Sequence, residues 1–138
     1  MNLFNVGTMK KEELMIGDWV YNTHNSQYEK VYEIGSGLVM LDYNDLYEYD
    51  EIEPIQLKRI HLTKNGFKVT DAEDTTFVLR DGYKVEVTFD RGIEEMDIPP
   101  TIYLSIKFAD AEYWKTISYV HQLQQAMRMF DIEKEISL

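Results

Sequence analysis

The chain has 138 residues and a formal net charge of −11, from 25 Asp and Glu against 14 Lys and Arg. Hydrophobic residues make up 44% and charged residues 28%, which is typical of a folded globular chain rather than a disordered one. Cysteine is absent, which excludes disulfides, thiol catalysis and thiolate metal sites. We expect such acidity to repel nucleic-acid phosphates and anionic membranes, and to favour solubility or a basic protein partner.

The hydropathy pattern predicts a cytoplasmic protein that does not enter a membrane. The first residues lack the basic start and apolar core of a secretory signal. No apolar run approaches the ~20 residues needed to span a bilayer. We predict a leader over 1–11 and two small lobes over 12–66 and 67–138.

The stretch 12–66 has the pattern of short strands joined by tight turns. Strands are predicted at 17–22, 28–34 and 38–41. Gly35 and Gly37 supply the flexible backbone of a hairpin between the last two. The residues that follow alternate loosely, with Leu46 and Ile52 predicted to point inward. A series of short strands led by Gly-Asp-Trp-Val is typical of a small SH3-like antiparallel β-barrel.

A short helix is predicted at 56–65, followed by the strands of the second lobe. Leu57 and Ile60 share a face of this helix, and Gly66 suits the left-handed residue that ends it. The dipeptide Asp81-Gly82 is the strongest hairpin signal in the chain. The strands predicted in this lobe are 76–80, 83–89, 101–108 and a short edge strand over 133–138.

The last predicted helix covers 118–130, with Ser118 as its N-cap. The predicted class is therefore α+β, an SH3-like barrel followed by an antiparallel sheet packed on the C-terminal helix. The side chains predicted to form the core are Trp19, Val20, Val31, Ile34, Val39, Leu41, Phe77, Leu79, Val85, Val87, Phe89, Leu104, Ile106, Leu123, Met127 and Phe130.

Two segments carry a resemblance to a known family. They are ELMIGDWV at 13–20 and SYVHQLQQAMRMF at 118–130. Together they resemble a family of small proteins common in gut Bacteroidetes and their phages and mobile elements, which pair an "ELxIGNWV"-like opening with a "YVHQLQNLYFALTG"-like close. The resemblance implies a gene of a phage or mobile element and no assigned activity. The family usually caps its middle helix with Thr, near the place where this chain has Lys58.

The polar side of the last helix is the first candidate site. The apolar stripe of 118–130 centres near Leu123, and the opposite side carries imidazole, amide and guanidinium groups. Such groups suit directional hydrogen bonds better than the Lys and Glu of a purely solvated face. We expect this helix face to dock, either onto the first lobe or onto another molecule. The helix face consists of His121, Gln124, Gln125 and Arg128.

A dense series of carboxylates is the second candidate site, interleaved with Tyr43, Tyr47 and Tyr49. It does not match a calcium-binding loop, because Tyr47 stands where the sharp-turn glycine belongs. The tyrosines suit either a strand or a recognition surface. This acidic run consists of Asp42, Asp45, Glu48, Asp50, Glu51 and Glu53.

Nothing in the sequence predicts catalysis or a cofactor. The three histidines are scattered, no Gly-x-Ser-x-Gly elbow occurs, and no glycine-rich loop precedes a helix. The predicted function is a non-enzymatic protein-interaction module that binds a protein partner through the helix face. The alternative is an acidic decoy that uses the acidic run to inhibit a basic, nucleic-acid-binding protein. Homo-oligomerisation stays open.

Overall fold

The computed structural model describes residues 8–42, 45–90 and 100–138. Within these ranges the chain forms two antiparallel sheets and two α-helices, so the predicted α+β class is confirmed. The residues form two compact units. The first unit extends to Gln56 and includes Tyr119–Gln125, and the second unit comprises Leu57–Ser118 and Ala126–Leu138. The division predicted at Gly66 falls within the second unit.

The first unit is built on a sheet that curls into a half-barrel. Its strands are β1 (Trp19–Asn22), β2 (Gln27–Ile34), β3 (Leu38–Leu41), β4 (Asp45–Glu48) and β5 (Ile52–Glu53). Their order is β4-β3-β2-β1-β5, because β5 returns to pair with β1 and not with β4. A short 3₁₀ helix, Tyr49–Glu51, connects β4 to β5.

Alternation along the strands places the core of the first unit on one side of the sheet. Val39 and Leu41 of β3 are completely buried, whereas Leu38 between the turn and Val39 is exposed. Complete burial of an aliphatic side chain contributes ~1.5–3 kcal/mol, so these positions dominate the packing. Trp19 and Ile34, both predicted to be core, are only half-buried. The buried cluster consists of Met9, Leu14, Val20, Val31, Val39, Leu41 and Ile52.

Leu46 points away from the core, so its predicted inward position is wrong. Its side chain is 57% exposed. In the β3–β4 ladder Leu46 lies opposite Met40, and Tyr47 lies opposite the buried Val39. Tyr47 therefore takes the inward position and packs against the core cluster. Because side chains alternate with a period of two, a shift of one residue in register exchanges the two faces.

The second unit contains α1 (Arg59–Lys64) and an antiparallel sheet of order β10-β9-β8-β7-β6. Its strands are β6 (Lys68–Val69), β7 (Thr76–Arg80), β8 (Lys84–Asp90), β9 (Thr101–Phe108) and β10 (Ala111–Ile117). The predicted hairpin joins β7 to β8, with Gly82 at φ +71°. The buried side chains of the sheet that were predicted are Phe77, Val85, Val87, Phe89, Leu104 and Ile106; Leu79 is half-buried.

Two strand assignments near the carboxyl end differ from the prediction. Strand β10 has no counterpart among the predicted strands, since Ile117 is its one fully buried residue and the hydrophobic alternation is weak. Residues 133–138, predicted as an edge strand, form none. Their segment is held instead by Ile136, which is buried, and by Ser137, whose backbone N–H donates to Asn65 Oδ1 at 2.8 Å.

The first helix is shorter than predicted but ends as predicted. Gly66 adopts φ +86°, and the backbone N–H of Phe67 donates to the carbonyl of Leu62 at 3.0 Å, which satisfies a terminal carbonyl of α1. The predicted buried face included Leu57 and Ile60. Leu57 is buried, but Ile60 is 63% exposed and Leu62 is the buried residue of the helix.

The second helix, α2, comprises Val120–Met129, within the predicted 118–130. Tyr119, and not Ser118, immediately precedes it, and the Tyr119 backbone N–H donates to Gln122 Oε1 at 3.0 Å. A side chain in the first turn thus satisfies a backbone group that the helix itself leaves open. The predicted core residues Leu123 and Met127 are buried, and Phe130 is half-buried. Neither helix in the described ranges has the length and apolarity required to cross a membrane.

The start of α1 makes part of the stability depend on pH. His61 Nδ1 accepts the backbone N–H of Lys58 at 3.0 Å, and only an unprotonated Nδ1 can accept. Burial, followed by the charges of Lys58 and Lys64, lowers the pKa of His61 below its usual value. Since the folded pKa lies below the unfolded one, this stabilisation is present above about pH 6.5 and is lost as pH falls through the folded pKa.

We therefore expect His61→Gln to be less sensitive to mild acid than the parent. Gln at this helical position can accept the same N–H but does not titrate. Thermal melts between about pH 8 and about pH 5 should show a larger decrease in Tm for the parent. Equal decreases in the two proteins would show that His61 does not couple the helix to pH.

Candidate functional site

The helix face predicted as a partner site is largely covered. His121 and Gln124 are 3% and 7% exposed, and Gln125 and Arg128 are half-buried. The imidazole of His121 stacks on the ring of Tyr119, with 5.7 Å between ring centroids and 11° between ring planes. Buried side chains offer little surface to a partner. Recognition of a partner protein through the helix face therefore stays a prediction.

Within the first unit, the two glutamines of the helix face bind the segment that leads into β1. Gln124 Oε1 accepts the backbone N–H of Trp19 at 2.9 Å, and its Nε2 donates to the carbonyl of Gly17 at 3.1 Å. Gln125 Nε2 donates to Asp18 Oδ2 at 2.7 Å and to the carbonyl of Glu13 at 2.9 Å. The docking expected from the amide groups therefore takes place within the chain.

Asp18 connects this contact to the turn before β1. Its side chain is completely buried, and Oδ2 also accepts the backbone N–H of Met15 at 2.8 Å. A buried carboxylate needs such donors, because an unpaired charge away from water is strongly destabilising. Sequence reasoning missed Asp18, for which the available signal was an acidic residue directly before Trp19 and Val20.

The acidic run lies on the surface of the first unit. Asp42, Asp45, Glu48 and Asp50 are exposed, and Glu51 and Glu53 are half-buried.

Three of these carboxylates have structural contacts, of which the longest is that of Asp45 Oδ2, which accepts from the hydroxyl of Tyr47 at 3.5 Å. Asp42, at φ +48°, accepts the backbone N–H of Lys30 at 2.9 Å. Glu51 lies 3.6 Å from His24 Nδ1. Asp45, Glu48 and Asp50 are the exposed members best placed for another molecule.

The acidic run belongs to a longer stretch from which basic residues are missing. Residues 31–57 contain seven carboxylates, those of the acidic run and Glu33, and no Lys, Arg or His. The net charges of the two halves of the chain, −5 in 1–66 and −6 in 67–138, are nearly equal and do not show this concentration. The other residues of 1–66 carry a net charge of +2, because −5 minus −7 is +2. Within residues 1–66 the negative charge is therefore concentrated in the stretch 31–57.

The negative charge is densest where β4 meets the 3₁₀ helix. One ligand oxygen from each of Glu48, Asp50 and Glu51 lies within 4.8 Å of the others. Carboxylate oxygens can coordinate a hard cation, and they equally attract the ammonium or guanidinium group of a protein. Exposed acidic groups commonly lie this close without an ion, so we interpret the cluster as a source of negative potential.

An apolar surface lies beside this cluster and was missed by sequence reasoning. It consists of Leu38, Met40 and Leu46, of which Leu38 is 41% and Leu46 is 57% exposed. With Glu33 and the Gly35–Gly37 turn they line an open pocket of about 550 Å³. To predict this surface from the sequence, the register between β3 and β4 would have to be known, because Leu46 lies on the surface only when it pairs with Met40.

The tyrosines interleaved with the acidic run have mainly structural roles. Tyr47 and Tyr49 are half-buried and pack against the core cluster. The hydroxyl of Tyr49 donates to the carbonyl of Gly35 at 2.6 Å. Burial, and then the charge of Glu12, raises the pKa of Tyr49 above its usual value. Tyr43 lies outside the described residues.

The chain was compared with protein-family models, with curated proteins and with solved structures, and none of the three comparisons found a match.

Proposed function

We propose that the protein is a non-enzymatic interaction module that binds a basic protein partner through the acidic run. The observation that carries this proposal is the exposed negative region of the first unit, seven carboxylates without a basic residue over 31–57. Complementary charge steers association and selects partners, so such a region favours a partner with clustered Lys or Arg.

The burial of the helix face favours the acidic run over the surface first predicted. Gln124 is buried and bonded to the backbone of Gly17 and Trp19, so that a partner would have to displace these contacts to reach it. Asp45, Glu48 and Asp50 are exposed and require no rearrangement. The interface backbone of pre-organised complexes usually moves little on binding, which supports a surface that is already exposed.

The fold proposed for the first unit is an SH3-like barrel. The order β4-β3-β2-β1-β5, the 3₁₀ helix between β4 and β5, and the antiparallel pairing of β5 with β1 support it. Small barrels of this kind serve many unrelated functions, so the proposed function rests on the surface and not on the fold. Membership of the Bacteroidetes family, with a phage or mobile-element gene, likewise stays a proposal.

The decoy alternative uses the same surface and differs in the partner. A decoy would occupy the nucleic-acid site of a basic protein, and the charge concentration of the acidic run favours it equally. Competition distinguishes the two: duplex DNA or RNA added to the complex should displace a decoy, because both ligands require the same basic groups.

A matched pair of variants tests the proposed surface. We expect Asp45→Asn/Glu48→Gln/Asp50→Asn to lose the partner that the tagged parent captures from lysate of cells that express the protein. Asp42 and Glu51 are left unchanged because they contact Lys30 and His24, and Asn at position 45 can still accept from the hydroxyl of Tyr47.

The control is Glu73→Gln/Asp81→Asn/Asp110→Asn, three exposed positions of the second unit. Both variants change the net charge from −11 to −8, by removal of three carboxylates. Quantitative mass spectrometry should find the partner with the parent and the control only. Retention by both variants, or loss from both, would contradict recognition at the acidic run.

A further inference from the structure

We infer that the apolar surface formed by Leu38, Met40 and Leu46 is the second half of the binding site, and that it takes an apolar side chain from a basic linear segment of the partner. This inference rests on the proposed function and specifies the chemistry of the partner. The segment would place Lys or Arg on the acidic run and one aliphatic or aromatic side chain between them, in the pocket beside β3 and β4.

The register of the sheet forms this surface from three strands. Glu33 of β2 lies opposite Met40 of β3, which in turn lies opposite Leu46 of β4. Side chains directly opposite on one face have Cβ atoms about 4.5–5.5 Å apart, so these three form a continuous row. Leu38 lies opposite Glu48 on the same face. Apolar contact area and carboxylates are therefore neighbours on one side of the sheet.

The wall of the pocket is fixed before any partner arrives. The Gly35 backbone N–H donates to the carbonyl of Leu38 at 2.9 Å, which closes the turn. A Cβ at Gly35 would lie 2.8 Å from that carbonyl oxygen, so the turn requires glycine. Tyr49 holds the same turn from the 3₁₀ helix, through its hydroxyl and the Gly35 carbonyl. A preformed site avoids the entropy cost of ordering a loop on binding.

Charge indicates what the pocket takes. Its edge carries Glu33, and Glu48 of the acidic cluster flanks Leu38. Because 31–57 contain no basic residue, nothing on this stretch neutralises them. An acidic segment would be repelled, and a purely apolar one would leave the carboxylates without a counterion. A segment with an apolar side chain between cationic ones satisfies both parts of the site.

Three synthetic heptapeptides test the inference, each labelled for fluorescence anisotropy. The first is RKGLGRK, the second replaces its Leu by Ser, and the third replaces its basic residues by Glu. The proteins are the parent, Leu46→Thr, Ile16→Thr as its matched control, and Asp45→Asn/Glu48→Gln/Asp50→Asn. Leu46 and Ile16 are 57% and 63% exposed in the same unit, so neither substitution should affect folding.

We expect the Leu peptide to bind the parent and Ile16→Thr about tenfold more tightly than the Ser peptide, since burial of an aliphatic side chain supplies that difference. Leu46→Thr should remove the advantage, and the Glu peptide should not bind. In ¹⁵N spectra, the Leu peptide should shift the amides of Gly37, Leu38 and Leu46.

The other outcomes contradict the inference, the proposed function, or both. Equal affinity for the Leu and Ser peptides, or an advantage that survives Leu46→Thr, overturns the inference and leaves the acidic run as the site. If the Ser peptide binds the parent and Asp45→Asn/Glu48→Gln/Asp50→Asn equally well, the proposed function fails. If none of the peptides binds, both proposals fail.

Discussion

Replacing Leu123 by Asp should unfold the protein or nearly so. Leu123 is 1% exposed at the centre of the apolar stripe of α2. Asp at this position would remove an aliphatic side chain and bury a charge without a partner, at a cost of about 4 kcal/mol or more. Domains are stable by only about 5–15 kcal/mol, so most of the margin would be lost. Urea denaturation followed by circular dichroism measures the change.

The control for this substitution lies on the same helix. Met129 is 59% exposed, and Met129→Asp changes the same kind of side chain to the same carboxylate. Near the carboxyl end of a helix that charge is unfavourable by less than about 1 kcal/mol. If Leu123→Asp were no more destabilising than Met129→Asp, the burial of α2 described above would be wrong.

Gln124→Met should destabilise the fold by about 2–6 kcal/mol, because it leaves two backbone groups without their partner. Met has a similar length and would fill the same space, but it can neither accept the Trp19 N–H nor donate to the Gly17 carbonyl. Gln124 is 7% exposed, so water cannot readily replace these bonds. Each buried backbone group left without a partner costs about 1–3 kcal/mol.

The matched control for Gln124→Met is Gln27→Met, in which the glutamine is exposed on β2. Its effect should lie within about 0.5 kcal/mol of zero, because water serves its amide group. Chemical denaturation of the two variants gives both values. Similar midpoints would show that the amide of Gln124 does not hold the helix to the segment before β1.

Local sequence patterns were sufficient to predict the elements whose structure is determined by residues close together in the chain. The Asp81-Gly82 hairpin, strand β9 and helix α2 depend on turn chemistry or on a regular hydrophobic period within one segment. Strand β10 was missed because a strand at the edge of a sheet shows little alternation: Trp114 is 65% exposed, and Ile117 is its one fully buried side chain.

The candidate site was harder to predict, because its parts meet through pairing between strands. The carboxylates of the acidic run are visible in the sequence, but whether Leu46 faces the core or the surface depends on its register with Met40. The helix face was recognised as a docking face, yet Gln124 bonds to a residue 105 positions away, which periodicity cannot identify. The sequence pattern thus indicates that the helix face makes polar contacts, and the fold determines which residues it contacts.

The ionic-strength dependence of the complex tests the proposed function most directly. With the captured partner purified, the dissociation constant should be measured by titration calorimetry at about 0.05 M and about 0.5 M salt, where the screening length decreases several-fold. The acidic run predicts that the parent binds at least about tenfold more weakly at the higher concentration, and that Asp45→Asn/Glu48→Gln/Asp50→Asn shows a much smaller dependence. An affinity of the parent that does not change with salt would contradict recognition by the acidic run.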